Sequence, residues 1–228
     1  MKTHDELNAV FKQCLHSFIE KDLEYGVVLN EADMKCRLYN RLFNISDFSK
    51  RSKESRGEEG KFAVNLVHSE YYRYQTAGSR KGERGRWDVA ILYPESYPEP
   101  SITREDKVAW GNRDYHNRRP VMIGCELKFK YYRDTDREWD VTKQELTDDA
   151  SVFSGRYAPE FGYVVHFEIV RTKEDASNHT LKNEKNLSKK RAQIKSLLHA
   201  LKKHHRNIHL YFLQYNEDTE EFLPMISI

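Results

Sequence analysis

The sequence predicts an α/β fold, a three-layer α/β/α arrangement with a central mixed sheet. Two observations predict it. Apolar residues recur at helical spacing in four segments, and six further segments are short apolar or alternating runs of strand type. The order in which they follow one another is helices, three strands, helix, strand, helix and strand, with a short strand able to close the chain.

The first helix is expected from about Asp5 to Glu20, where Leu7, Val10, Phe11, Leu15, Phe18 and Ile19 fall on one stripe. Asn30 is a natural N-cap for a second helix with the stripe Met34, Leu38 and Leu42. Glu31 falls on that same stripe, so a carboxylate sits in the first turn of the face to be buried. Residues Ser46 to Lys61 are polar without periodicity and read as a mobile loop. Strand signals follow at Phe62 to Tyr72, Arg86 to Tyr93 and Val121 to Phe129. Between the last two, residues 94–120 form an insertion or long loop rich in Pro, Arg and Asp. A helix from about Thr142 to Phe153 comes next, then a buried strand from Phe161 to Arg171. A basic amphipathic helix, about Leu187 to His204, carries Leu187, Ile194, Leu198 and Leu201 on its apolar side. Ile208 to Tyr215 is another strand, and Phe222 to Ile228 adds a short one.

With 228 residues, one domain is the default, with its core at about residues 30–215. No run approaches the roughly 20 apolar residues of a bilayer span, so no membrane association is expected. Cys14, Cys36 and Cys125 are widely spaced and include no C-x-x-C pair, which points to reduced thiols and a cytoplasmic protein. Aromatic residues at 12% argue for a packed core despite 32% charged residues.

The formal net charge of +2 excludes a chain that binds polyanions by being basic throughout. It hides local imbalance. Lys182 to Arg206 carries +8 and Arg80 to Arg86 carries +3, offset by −5 over Asp134 to Asp149 and −4 over Glu217 to Glu221.

Chemistry concentrates in two strands, Arg86-Trp87-Asp88-Val89-Ala90-Ile91-Leu92 and Met122-Ile123-Gly124-Cys125-Glu126-Leu127-Lys128-Phe129. Glu126 and Lys128, two apart, point to one face of their strand. Asp88 opens an otherwise apolar strand. Carboxylates and a lysine entering an apolar sheet are costly unless paired or metal-bound. The tripeptide Glu-x-Lys occurs three times, at Glu59, Glu105 and Glu126, but only the third is bracketed by apolar strand residues and preceded by an Asp-bearing strand.

In these residues the chain resembles the PD-(D/E)XK nuclease superfamily, whose fold is restriction-endonuclease-like. Asp88 and Glu126-x-Lys128 match the motif, with Trp87 standing where the name-giving proline would be. Glu31 fits the glutamate of a preceding helix, and Glu70 fits an acid carried on the preceding strand. The match covers roughly Asn30 to Phe153. The resemblance implies a Mg²⁺- or Mn²⁺-dependent nuclease acting on DNA, of restriction, repair or defence type. It implies Asp88, Glu126 and the Leu127 backbone carbonyl as metal ligands, with Glu70 and Glu31 as further ligands or anchors. It implies Lys128 as the residue that orients the attacking water or stabilises the transition state.

Hard oxygen donors suit such cations independently of any family. Phosphate contacts are expected from Arg80, Lys81, Arg84 and Arg86 in the loop entering the Asp88 strand, and from Lys189, Lys190 and Lys195 on the basic helix. Cutting both strands of a duplex would call for a homodimer or sequential nicks. Two other readings stand beside this one: an inactive nucleic-acid-binding module on the same fold, and a structural or partner-binding protein in which the acids and Lys128 form a buried ion pair.

Overall fold

A computed structural model of the chain describes residues 2–23, 28–49, 66–72, 86–93, 121–133, 136–154, 158–171, 180–205 and 207–228. It is an α/β structure with a six-stranded mixed sheet and four α-helices among the described residues. The strands are β1 (Val67–Tyr72), β2 (Arg86–Leu92), β3 (Val121–Arg133), β4 (Phe161–Arg171), β5 (Ile208–Asn216) and β6 (Glu221–Ser227), ordered in the sheet as in the chain. The helices are α1 (His4–Phe18), α2 (Glu31–Phe43), α3 (Asp136–Ser151) and α4 (Thr180–His204). The chain divides into two compact units, Met1–Val28 with Lys35–Cys125, and Leu29–Met34 with Glu126–Ile228.

In the first unit, α1 begins at a capping box. The Thr3 hydroxyl accepts from the Glu6 backbone N–H at 3.2 Å, and the Glu6 carboxylate accepts from the Thr3 N–H at 2.7 Å. Those bonds hold the Glu6 carboxyl below its ordinary range. Leu7, Phe11, Leu15 and Phe18 form its buried stripe. A π-helical turn, Ile19–Leu23, follows and turns Asp22 inward. There the Arg41 guanidinium grips Asp22 with two hydrogen bonds, 2.5 and 2.9 Å, tying this turn to α2. Leu38 and Leu42 of α2 are fully buried. The start of the segment expected to be a mobile loop is instead tied down. Asn44 to Ser49 makes successive turns, Phe48 is completely buried, and its carbonyl accepts from the Leu66 N–H at 3.2 Å. One aromatic ring in a polar stretch supplies the apolar area that anchors it.

Strands β1 and β2 are antiparallel, with Ser69 opposite Val89 and Tyr71 opposite Trp87. β2 pairs antiparallel with the first part of β3, Val89 opposite Cys125 and Ile91 opposite Ile123. Val89, Ala90, Ile91 and Leu92 are all fully buried, which explains why this strand reads as a continuous apolar run rather than an alternation.

The second unit holds the N-terminal turn of α2, where the Asn30 side chain accepts from the Asp33 N–H at 2.9 Å as expected of an N-cap. β4 and β5 run parallel, Gly162 opposite Ile208 through Val170 opposite Asn216, joined by the crossover through α4 that parallel pairing requires. β6 returns antiparallel to β5. Leu146 and Ala150 of α3 and Ile194 and Leu198 of α4 pack on Val164, Leu210 and Phe212 of the sheet. Each of the leucine, isoleucine, valine and phenylalanine side chains among them contributes about 1.5–3 kcal/mol. On the other face Phe129 packs edge-on to Phe167, which stacks on Phe222. Gly162 admits the Phe153 ring, since a Cβ there would lie 2.3 Å from its Cδ1.

Two helices start earlier than their apolar stripes predict. α3 begins at Asp136, because acids near a helix N-terminus are favourable and extend it ahead of the first apolar contact. α4 begins at Thr180, since Leu, Lys and Glu residues there carry good helix propensity without an apolar period. The insertion at residues 94–120 lies outside the described residues.

Candidate active site

Within the first unit, Asp88 is the second residue after Arg86 at the start of β2 and is 5% exposed. Burying a carboxylate costs several kcal/mol unless it is compensated. Lys35 of α2 compensates it, with its ammonium 2.8 Å from Asp88 Oδ1. The same ammonium lies 3.1 Å from Glu70 Oε1. The register of β1 and β2 puts Glu70 directly across from Asp88, between the pairs Ser69–Val89 and Tyr71–Trp87. Glu70 sits at a positive φ, 52°, a left-handed conformation that costs a non-glycine residue about 1–2 kcal/mol. Its side chain stays accessible, and Arg86 approaches its other oxygen at 3.8 Å. Two carboxylates on neighbouring strands thus share the Lys35 ammonium, with Arg86 a more distant second cation.

Within the second unit, Glu126 is 3% exposed on β3. Lys128, two residues on, is half-buried and lies 4.0 Å from Glu31 Oε2 at the start of α2, within ion-pair reach but longer than a hydrogen bond. Leu127 is buried, with Cys125, on the alternate face of the strand. Lys130 continues the Glu126–Lys128 face and bonds Glu145 of α3 at 2.5 Å.

That face of the second unit holds a buried polar network that the sequence reading did not single out. Glu168 of β4 accepts from Thr142 Oγ1 at 3.0 Å and from Gln214 Nε2 at 2.9 Å, and His166 Nε2 lies 3.1 Å from the same oxygen as Thr142. All four residues are buried, His166 completely. Because a carboxylate only accepts, the His166 proton belongs on Nε2, while its buried Nδ1 has no hydrogen-bond partner among the described residues. Arg191 of α4 donates to Gln214 Oε1 at 2.6 Å and to the Pro224 carbonyl. Burial pushes its pKa down, with Glu168 acting against that shift. The signal was present in the sequence. His166 and Glu168 stand two apart inside an apolar strand, the same pattern as Glu126 and Lys128.

The basic helix is therefore less available than its charge suggests. Lys189 and Lys195 are exposed and Lys190 is half-buried, but Arg191 turns inward and Lys202 donates to the Ile208 carbonyl. Lys143 of α3 pairs with Asp140 of its own helix at 2.7 Å. Arg80, Lys81 and Arg84 lie outside the described residues.

The donor chemistry of Asp88, Glu70, Glu126 and Glu31 is that of hard oxygen ligands. Magnesium keeps several waters and needs only one or two carboxylates from a chain, so these acids fit it. Among the described residues, no group of three or more His, Cys, Asp or Glu side chains is assembled to hold a metal ion. No helix among them is long and apolar enough to cross a membrane. Compared with known proteins, the chain matches no family model, no curated sequence and no solved structure.

Proposed function

We propose that the chain is a metal-dependent nuclease that hydrolyses DNA phosphodiester bonds in the cytoplasm, on a restriction-endonuclease-like α/β/α fold. The observation that carries this reading is the pair of carboxylates, Asp88 and Glu70, drawn round a single ammonium. Acids gathered on a cation are what a hard divalent ion requires, and the resemblance at Asp88 and Glu126-x-Lys128 assigns them that role. Asp88, Glu126 and the Leu127 carbonyl are the proposed ligands, with Glu70 and Glu31 as further anchors. Mg²⁺ or Mn²⁺, when bound, supplies a water of lowered pKa and positive charge beside the phosphate. Lys128 would orient the attacking water and stabilise the charge that develops on the phosphate oxygens. Arg86, Lys189, Lys190 and Lys195 hold backbone phosphates, with Arg80, Lys81 and Arg84.

The test is a cleavage panel on circular, linear and branched DNA and on RNA, with Mg²⁺ or Mn²⁺ and with EDTA. Metal-dependent cutting of DNA is expected, and Asp88→Ala, Glu126→Ala and Lys128→Ala should each abolish it with folding retained. Three variants that cut as well as wild type would refute the assignment.

A second reading, a binding or structural protein without catalysis, is favoured by the ion pairs themselves. Lys35 meets Asp88 and Glu70, and Lys128 lies near Glu31, so the acids have cationic neighbours without a metal. Calorimetric titration with MnCl₂ separates the two. Binding that is lost in Glu126→Ala supports the nuclease, and no binding at millimolar metal supports the second reading.

A further inference from the structure

We infer that Lys35 is a built-in counter-ion that holds Asp88 and Glu70 together in the metal-free protein and is displaced when a divalent cation binds, so that it sets the affinity for that cation. The inference rests on the proposed metal-dependent reading and concerns Lys35, to which that reading gives no role in binding or chemistry. The flanking register of β1 and β2 sets Glu70 opposite Asp88, and both carboxylates lie against one ammonium, so their like charges repel. The Lys35 ammonium, 2.8 Å from one and 3.1 Å from the other, offsets the repulsion and the burial of Asp88. Arg86 contributes less, because at 3.8 Å and 46% exposure it is screened by water.

Lysine suits a displaceable role. Its charge is a compact point on a flexible four-carbon stem, anchored here on α2 and not on either strand. The Lys35 side chain is 20% exposed, so it has a route to solvent along which to withdraw. A doubly charged ion at about 2.1 Å from carboxylate oxygens outcompetes a singly charged ammonium at hydrogen-bond distance. The measured affinity for the ion then contains the cost of breaking both Lys35 contacts. Removing Lys35 removes that cost and takes the nearest positive charge from both acids in the metal-free state.

The experiment is calorimetric titration of wild type, Lys35→Met and Lys35→Gln with MnCl₂ alone, alongside thermal unfolding in EDTA and in MnCl₂. Both variants should bind Mn²⁺ about tenfold more tightly, which corresponds to ~1.4 kcal/mol removed from the metal-free state. Both should melt lower than wild type in EDTA and regain most of the difference with metal. Wild-type binding that is unchanged or weakened in both variants overturns the inference while leaving the metal-dependent reading intact. Absence of Mn²⁺ binding in wild type and variants alike overturns both.

Discussion

Glu168 offers the sharpest test of how the second unit is held together. Its carboxylate is buried and accepts from Thr142 Oγ1, Gln214 Nε2 and, on the tautomer it imposes, His166 Nε2. Glu168→Ala leaves three buried donors without their acceptor. Each such donor costs about 1–3 kcal/mol. Water entering the vacated space and the bond from Arg191 that still holds Gln214 recover part of this, so the expected loss is about 3–6 kcal/mol. Against a typical total stability of about 5–15 kcal/mol, that unfolds a substantial fraction of the protein. Glu168→Gln separates the contributions. Its amide oxygen can stay with Thr142 and His166, but its NH₂ then faces the Gln214 NH₂, so one bond is lost and two donors oppose each other. The expected cost is about 1–3 kcal/mol. Urea unfolding followed by circular dichroism measures both. A Glu168→Ala loss below about 1 kcal/mol, or a Gln variant as damaged as the Ala variant, would refute the account.

The Asp22–Arg41 grip at the π-helical turn should behave likewise on a smaller scale, with Arg41→Met costing about 2 kcal/mol and the double variant with Asp22→Asn costing less than the sum, read by a denaturation cycle. Burial, helped by Asp22 and opposed by Arg41, pushes the Cys14 thiol from 9.0 up to about 11. The folded value lies above the unfolded one, so Cys14's contribution to stability is complete below about pH 9 and declines as pH rises towards 11. Iodoacetamide at pH 8 should accordingly label the exposed Cys36 and spare Cys14 and the buried Cys125, as mass spectrometry can show. For DNA binding, replacing Lys189, Lys190 and Lys195 together by Ala should flatten the dependence of log affinity on log salt by up to about 2.7. Arg191→Met should leave that slope unchanged and lower stability instead, because Arg191 is spent on Gln214 and Pro224.

The elements were legible wherever an apolar period marked them. Leu7, Phe11, Leu15 and Phe18, or Ile194, Leu198 and Leu201, announce a buried helix stripe in the sequence and are buried in the structure. Polar helix starts carry no such period, and so the first turns of α3 and α4 were missed. The candidate site was legible residue by residue but not as a set of contacts. That Glu70 stands opposite Asp88 follows from strand register, which depends on pairing and not on spacing. That Lys35 reaches both depends on where α2 lies against β1 and β2, which no local pattern encodes. His166 and Glu168 differ, since their spacing within an apolar strand was visible. Reading that strand only by its apolar residues concealed two polar groups on the same face as Val164 and Val170.

The same contacts change what a net charge of +2 can mean for a polyanion partner. Cations counted from the sequence are a ceiling, because those engaged inside the fold cannot also hold phosphate. Lys35, Arg41, Lys130 and Arg191 each spend their charge on an acid or a buried acceptor. On the described part of α4, Lys189, Lys195 and Lys203 are exposed, while Lys190 and Lys202 are half-buried. Each cation spent inside the fold lowers by about 0.9 the slope with which the logarithm of affinity for duplex DNA falls with the logarithm of salt. If the chain is the proposed nuclease, binding to DNA would also draw on the site itself, where a divalent ion beside Asp88 would add positive charge and, on the inference above, free Lys35. On that proposal the metal would help to hold the substrate as well as to cut it. DNA retention at 100 mM salt should rise on adding Ca²⁺, a cation of the same charge and oxygen preference, and Asp88→Ala should cancel the gain.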